Sequence, residues 1–211
     1  MNPTEELGRR LRQCPLVAII RGVVPDEAEA IGAALFEAGI RIIEVPLNSP
    51  EPLRSIERLA RCFGEEALIG AGTVLEPADV ARVAQAGGRI IVSPNVFAPV
   101  VEAAVAADLV SLPGFFTPSE AFAALRAGAT GLKLFPAEGA APAVVKAQRA
   151  VLPREVPLLV VGGISPDNMQ PWLTAGADGF GLGSGLYKPG QTAEETAAKA
   201  RAYVEGVATP R

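Results

Sequence analysis

A lysine stands in the middle of an apolar run, ATGLKLFPAEG, at residues 129–139. A buried ammonium is costly unless it is paired or neutralised, so Lys133 calls for a chemical use. The chain has four lysines against fifteen arginines. The other three, Lys146, Lys188 and Lys199, fall in stretches that read as helix or loop, where a solvated charge is ordinary. There is no histidine. That rules out a Ser-His-Asp or Cys-His unit and a His-ligated zinc site. What chemistry there is must be run by lysine, carboxylates, guanidinium, hydroxyls and backbone. Glu44, inside the apolar run RIIEVPL, is the matching carboxyl group. Arg21 and Thr73 close two similar runs, VAIIRG and ALIGAGT.

Two readings of Lys133 and Glu44 follow from the residues alone. In the first they form a structural ion pair, although such a buried pair is rarely a net stabiliser. In the second, burial lowers the lysine pKa so that the amine attacks a carbonyl, and Glu44 moves the protons an enamine-forming step requires. A non-catalytic phosphosugar-binding barrel corresponds to the first reading. A barrel isomerase or epimerase, which needs no imine, is a further alternative.

Such groups need elements that bring them together. Short β-branched runs alternate with alanine-rich helical patterns along the chain. The strand candidates are 17–22, 41–47, 67–73, 89–95, 109–115, 131–137, 157–164 and 179–184. Helical segments between them often open with proline, and AGI, AGG, AGA and AGA at 38–40, 86–88, 127–129 and 175–177 mark their exits. Eight such units in 211 residues predict a single-domain (β/α)8 TIM barrel. The rival, an open doubly wound sheet, usually shows G-x-G-x-x-G after its first strand, and RGVVPD is not that pattern. TEELGRRLRQ reads as an extra helix at the barrel's N-terminal end, and TAEETAAKARAYVEGV as the eighth helix.

A barrel of this type works at the C-terminal ends of its strands, where Arg21, Glu44, Thr73 and Lys133 all fall. Side-chain alternation turns Lys133 inward with Gly131 and Phe135, leaving Leu132 and Leu134 to the helix layer. It likewise turns Glu44 inward with Ile42, and Arg21 inward with Val17 and Ile19. VVGGIS and GLGSG close the last two strands, where barrels commonly hold phosphate on backbone N–H groups. Gly162, Gly163, Gly183 and Ser184 are the candidates, although glycines here also serve turns and tight closure.

Apolar residues make up 49% and the net charge is −4. This composition suits a globular protein and argues against nucleic acid or an anionic membrane as partner. No run approaches the length needed to span a bilayer, and the N-terminus lacks the apolar core of a secretory signal, so a cytoplasmic location is expected. Cys14 and Cys62 have no metal-type spacing and are expected to be buried structural thiols.

Taken together, PLVAIIRG, IIEVPLNSP, LIGAGTVL, IVSPN, LPGFFTPSEA, GLKLFPA and VVGGISPDN resemble the 2-keto-3-deoxy-6-phosphogluconate/6-phosphogalactonate aldolases over nearly the whole chain. The resemblance implies a class I, metal-independent lyase without cofactor. Such an enzyme reversibly cleaves a phosphorylated 2-keto-3-deoxy sugar acid to pyruvate and glyceraldehyde 3-phosphate. It implies Lys133 as the Schiff-base lysine and Glu44 as the proton shuttle. Arg21 and Thr73 would sit at the substrate carboxylate, and Gly162, Gly163, Gly183 and Ser184 at the phosphate. It also implies a homotrimer. Gluconate-type members carry EVTLRT in the second strand, whereas EVPLNSP puts Asn48 in the arginine's place. That departure points to the galactonate-type substrate, with the C4-epimeric gluconate or dual use as the alternative.

Overall fold

The computed structural model describes residues 2–208. Among the described residues nine strands run parallel in one sheet: β1 (Leu16–Ile19), β2 (Ile42–Pro46), β3 (Leu68–Gly72), β4 (Ile90–Val92), β5 (Val110–Leu112), β6 (Gly114–Phe115), β7 (Leu132–Leu134), β8 (Leu158–Val161) and β9 (Gly179–Leu182). Their order is β5-β4-β3-β2-β1-β9-β8-β7-β6. β5 and β6 are the two halves of one expected strand, split at Pro113, which has no N–H to give. β5 faces β4, while β6 pairs with β7. Gly114 N also donates to Ser93 O at 3.0 Å, and Thr130 N to Ser111 O at 3.0 Å, so the sheet's ends meet across the split. This is the nearly closed (β/α)8 barrel the alternation predicts.

The helices are α1 (Pro3–Gln13), α2 (Pro25–Glu37), α3 (Pro52–Phe63), α4 (Pro77–Gln85), α5 (Ala98–Ala106), α6 (Pro118–Arg126), α7 (Pro142–Arg149), α8 (Met169–Thr174) and α9 (Ala193–Ala208). Each of α1 to α7 has a proline in its first two positions, where the missing N–H would have lacked a helical partner anyway. The AGx exits end four helices: Gly39, Gly87, Gly128 and Gly176 all have φ between 82° and 107°. Each left-handed turn lets the next N–H reach back, as Ile40 N does to Leu35 O at 3.0 Å. α8 starts later than PDNMQPWLTAGA suggests. Asn168 closes a turn instead, its Oδ1 accepting from Ser165 N at 2.9 Å.

Two apolar layers follow from strand alternation. Leu132, Leu134, Ile43 and Val45 face the helices, while Val17, Ile42, Leu68, Ile90 and Leu159 pack inside the barrel. Leu7 and Leu11 of α1 join the inner set, so α1 stops the barrel's N-terminal end. Buried Arg10 anchors it, donating to Glu6 Oε1 at 2.9 Å, to Glu65 O at 3.0 Å and to Glu66 O. Cys14 is buried, but Cys62 is exposed, contrary to the expectation for both thiols. In the last turn of α3 the inward place is taken by Phe63, whose ring stacks on Phe36 with centroids 5.5 Å apart. No helix among the described residues is long and apolar enough to cross a membrane.

Candidate active site

Glu44 and Lys133 point into the barrel from β2 and β7, 3% and 8% exposed. Strand register puts Glu44 level with Ile19 of β1 and Gly70 of β3. Its carboxyl lies over the backbone two residues further along β3: a Cβ on Gly72 would stand 1.9 Å from Glu44 Oε2. Gly72 therefore makes the room in which the carboxyl sits. Oε2 is buried and without a hydrogen-bond partner. Such an orphan acceptor is costly in a finished core and useful where a proton or water must be taken up. Lys133 Nζ stands 5.1 Å from the centroid of the Phe135 ring.

Burial dominates the ionisation of both groups. It pushes Glu44 up to about 7, against the opposing pull of the Lys133 and Arg21 charges. It pushes Lys133 down to about 8, with Arg21 lowering it further and Glu44 holding it up. Burial thus raises the carboxyl and lowers the amine, which narrows the gap between their proton affinities and makes proton transfer between them less costly.

Arg21 lies just beyond β1 and reaches across the strand ends. One guanidinium nitrogen donates to Asn48 Oδ1 and the other to Thr73 Oγ1 at 3.4 Å. Thr73 has φ 55°, a left-handed backbone that a β-branched residue adopts only under constraint. Next to Arg21, Gly22 N donates to the Oγ of buried Ser49 at 2.9 Å, so the ends of β1 and β2 are laced together. The result is a fixed cation above the buried pair.

A cavity of about 500 Å³ opens beside Arg21 along the ends of β1, β7, β8 and β9. Gly162, Gly163, Gly183 and Ser184, the four residues singled out for phosphate, all line it. Lys133, Glu44 and Thr73 are not on its wall, and Phe135 and Arg21 form the border between the two groups. Gly162 and Gly163 have φ 118° and 63°. The side-chain face of Gly162 is covered by the Glu138 carboxylate, whereas Gly183 opens onto free space. Asn168 Nδ2 donates to Gly163 O at 2.8 Å and so holds the β8 loop in shape. Gly72, Asn168, Glu138 and Lys188 belong to this neighbourhood and were not among the sequence candidates. Their signals were present in GAGTV, SPDN, FPAEG and LYKPG, but each is equally at home in an ordinary turn or loop.

An amine, a carboxyl and a guanidinium gathered at the C-terminal ends of a parallel barrel define a barrel enzyme suited to a small anionic carbonyl compound. Residues 7–202 match the family model for KDPG and KHG aldolase. The chain is 46% identical over 191 residues to the 2-dehydro-3-deoxy-6-phosphogalactonate aldolase of Escherichia coli K12, covering 90% of this chain and 93% of that one. It is 50% identical over 186 residues to the probable enzyme of that name from Rhizobium meliloti, covering 88% of each. A solved native KDPGal structure superposes with a TM-score of 0.91 at 45% identity, over 92% of this chain and 95% of that one. The chain belongs to the KDPG and KHG aldolase family.

Proposed function

We propose that the protein is a class I aldolase that reversibly cleaves 2-dehydro-3-deoxy-6-phospho-D-galactonate to pyruvate and D-glyceraldehyde 3-phosphate. The observation that carries this reading is a buried lysine with a lowered pKa beside a buried carboxyl with a raised one. The Lys133 Nζ lone pair attacks C2 of the keto acid. The carbinolamine formed loses its hydroxyl as water to leave an iminium. Glu44, directly or through a water, takes the proton from the C4 hydroxyl. The C3–C4 bond then breaks, its electrons passing into the iminium to give an enamine, and the aldehyde departs. Glu44 returns the proton to C3, and water hydrolyses the resulting imine to release pyruvate and the free amine. Arg21 and Thr73 hold the C1 carboxylate, while Gly162, Gly163, Gly183 and Ser184 receive the C6 phosphate.

The galactonate epimer is favoured because Asn48 is an acceptor for Arg21, leaving Arg21 as the guanidinium at that end. The names of the two relatives reported above point the same way. Side-by-side cleavage rates on the two C4 epimers test it, and equal rates would overturn the assignment. Borohydride reduction with pyruvate tests the imine: a three-carbon adduct belongs on Lys133, and trapping elsewhere or nowhere would refute it. We further propose that the described residues form a single barrel domain, that the protein works in the cytoplasm and that it assembles as a homotrimer. Leu75, Phe97 and Phe116, 46%, 42% and 38% exposed, supply apolar surface for association on the consecutive loops after β3, β4 and β6. Sedimentation equilibrium reads the assembly, and a monomer would count against it.

A further inference from the structure

The phosphate end of the cavity has a charge problem. Three ionised side chains line the cavity: Arg21, Glu138 and Lys188. Arg21 is committed to Asn48 and Thr73 at the opposite end. Glu138, in the short 3-10 turn Ala137–Gly139, lays its carboxylate against Gly162 and its Cγ near Gly163. The glycines that would present backbone N–H groups to a phosphate are thus flanked by a negative charge. A phosphate monoester carries close to two more at neutral pH. A cation nearby would offset that sum and add a charge-assisted contact to those of the backbone N–H groups.

We infer that Lys188 is that cation, a phosphate-binding and specificity-determining residue supplied by the loop after β9. The inference rests on the proposed phosphate site of the aldolase. Lys188 is exposed, and an exposed lysine ordinarily needs no explanation. Its backbone, however, is held on both sides. Leu186 N and Tyr187 N both donate to Gly183 O, at 2.9 and 3.1 Å, folding the Ser184 turn directly beneath it. Tyr187 is buried at 2% exposure. On the other side the Pro189 ring occupies the place a Cβ on Gly22 would need, next to Arg21. Gln191 N closes the loop onto Lys188 O at 3.0 Å. Among the described residues, no hydrogen bond or ion pair engages the Lys188 ammonium. Its backbone is held while its positive charge is unspent, on the wall shared with Gly183 and Ser184. Glu138 sharpens the selection: without Lys188 the pocket disfavours a phosphate, and with it the pocket holds one.

The test measures condensation of pyruvate with two acceptors, D-glyceraldehyde 3-phosphate and D-glyceraldehyde, in wild type, Lys188→Gln and Lys188→Arg. A charge-assisted contact is worth roughly a 10- to 100-fold change, so Lys188→Gln lowers the kcat/KM preference for the phosphorylated acceptor by about that factor, mainly through KM. Lys188→Arg retains most of the preference. Inhibition by inorganic phosphate weakens in parallel in Lys188→Gln. A wild type that prefers the phosphorylated acceptor and a Lys188→Gln that keeps the same preference overturn the role of Lys188 alone. A wild type with no preference overturns the phosphate site itself and this inference with it.

Discussion

Gly72→Ala isolates the placement of one carboxyl group. Gly72 lies in β3 with a backbone any residue can adopt, so alanine adds no conformational strain there. Its methyl would fall 1.9 Å from Glu44 Oε2, 2.3 Å from Cδ and 2.4 Å from Oε1. All three overlaps are with the same carboxyl, and real Cβ contacts do not approach 3 Å, so Glu44 must leave its rotamer. Overpacking of this kind costs about 1–3 kcal/mol. For a chain of this size that corresponds to a fall in Tm of roughly 2–4 °C per kcal/mol. The catalytic effect is larger, since a displaced general acid/base forfeits about 10²–10⁴ in rate. The assay follows deuterium exchange at the pyruvate methyl alongside borohydride trapping. Exchange should drop at least about 100-fold while Lys133 still forms a trappable imine. Glu44→Asp, one methylene shorter, should recover part of the Tm when combined with Gly72→Ala. Wild-type exchange in Gly72→Ala, with Tm unmoved, would refute the claim that Gly72 seats Glu44.

Lys133→Ala should abolish cleavage, and Lys133→Arg should do no better, because a guanidinium forms no imine; measurable turnover in either would contradict the Schiff-base role. Imine formation needs the free amine, so its rate should rise with pH through about 8. Glu44→Gln removes the charge that holds the Lys133 pKa up, so this midpoint should move to lower pH, as stopped-flow trapping would show. For stability the signs oppose. Glu44 is raised from 4.5 to about 7, so its folded form holds more protons and stability falls as pH rises across that window. Lys133 is lowered from 10.5 to about 8, so stability recovers between about 8 and 10.5. Urea titrations at a series of pH values measure both slopes. A thiol reagent should label exposed Cys62 promptly in native protein, while buried Cys14, its thiol pushed up to about 11, should react only on unfolding.

The barrel was legible because its signals are local. Apolar runs, prolines at helix starts and AGx exits each occupy a few neighbouring residues, and alternation within GLKLFPA was enough to turn Lys133 inward. A fifth helix exit escaped the same reading because Asp108, not glycine, takes the left-handed position at φ 56° after α5. Pro113 hid the split of the fifth strand inside an unbroken apolar stretch. The candidate site divides the same way. Residues distinguished by type in an apolar run, Glu44 and Lys133, stood out. Gly72 did not, because its purpose depends on how β2 and β3 lie side by side. Glu138 and Gly162 are 24 positions apart, and nothing near either residue announces that one covers the other. Lys188 looked like any loop lysine until the buried Tyr187 and the Pro189 contact fixed its place.

Leu7 and Leu11 give the barrel a stoppered floor. Substrate therefore reaches the buried pair from the C-terminal ends of the strands. On the proposed chemistry the three-carbon phosphate fragment lies outermost and the imine deepest. The water that hydrolyses the imine has to follow the path the aldehyde vacates. With the floor closed and pyruvate covalently held until hydrolysis, glyceraldehyde 3-phosphate departs, water arrives by the same end, and pyruvate is the last to go.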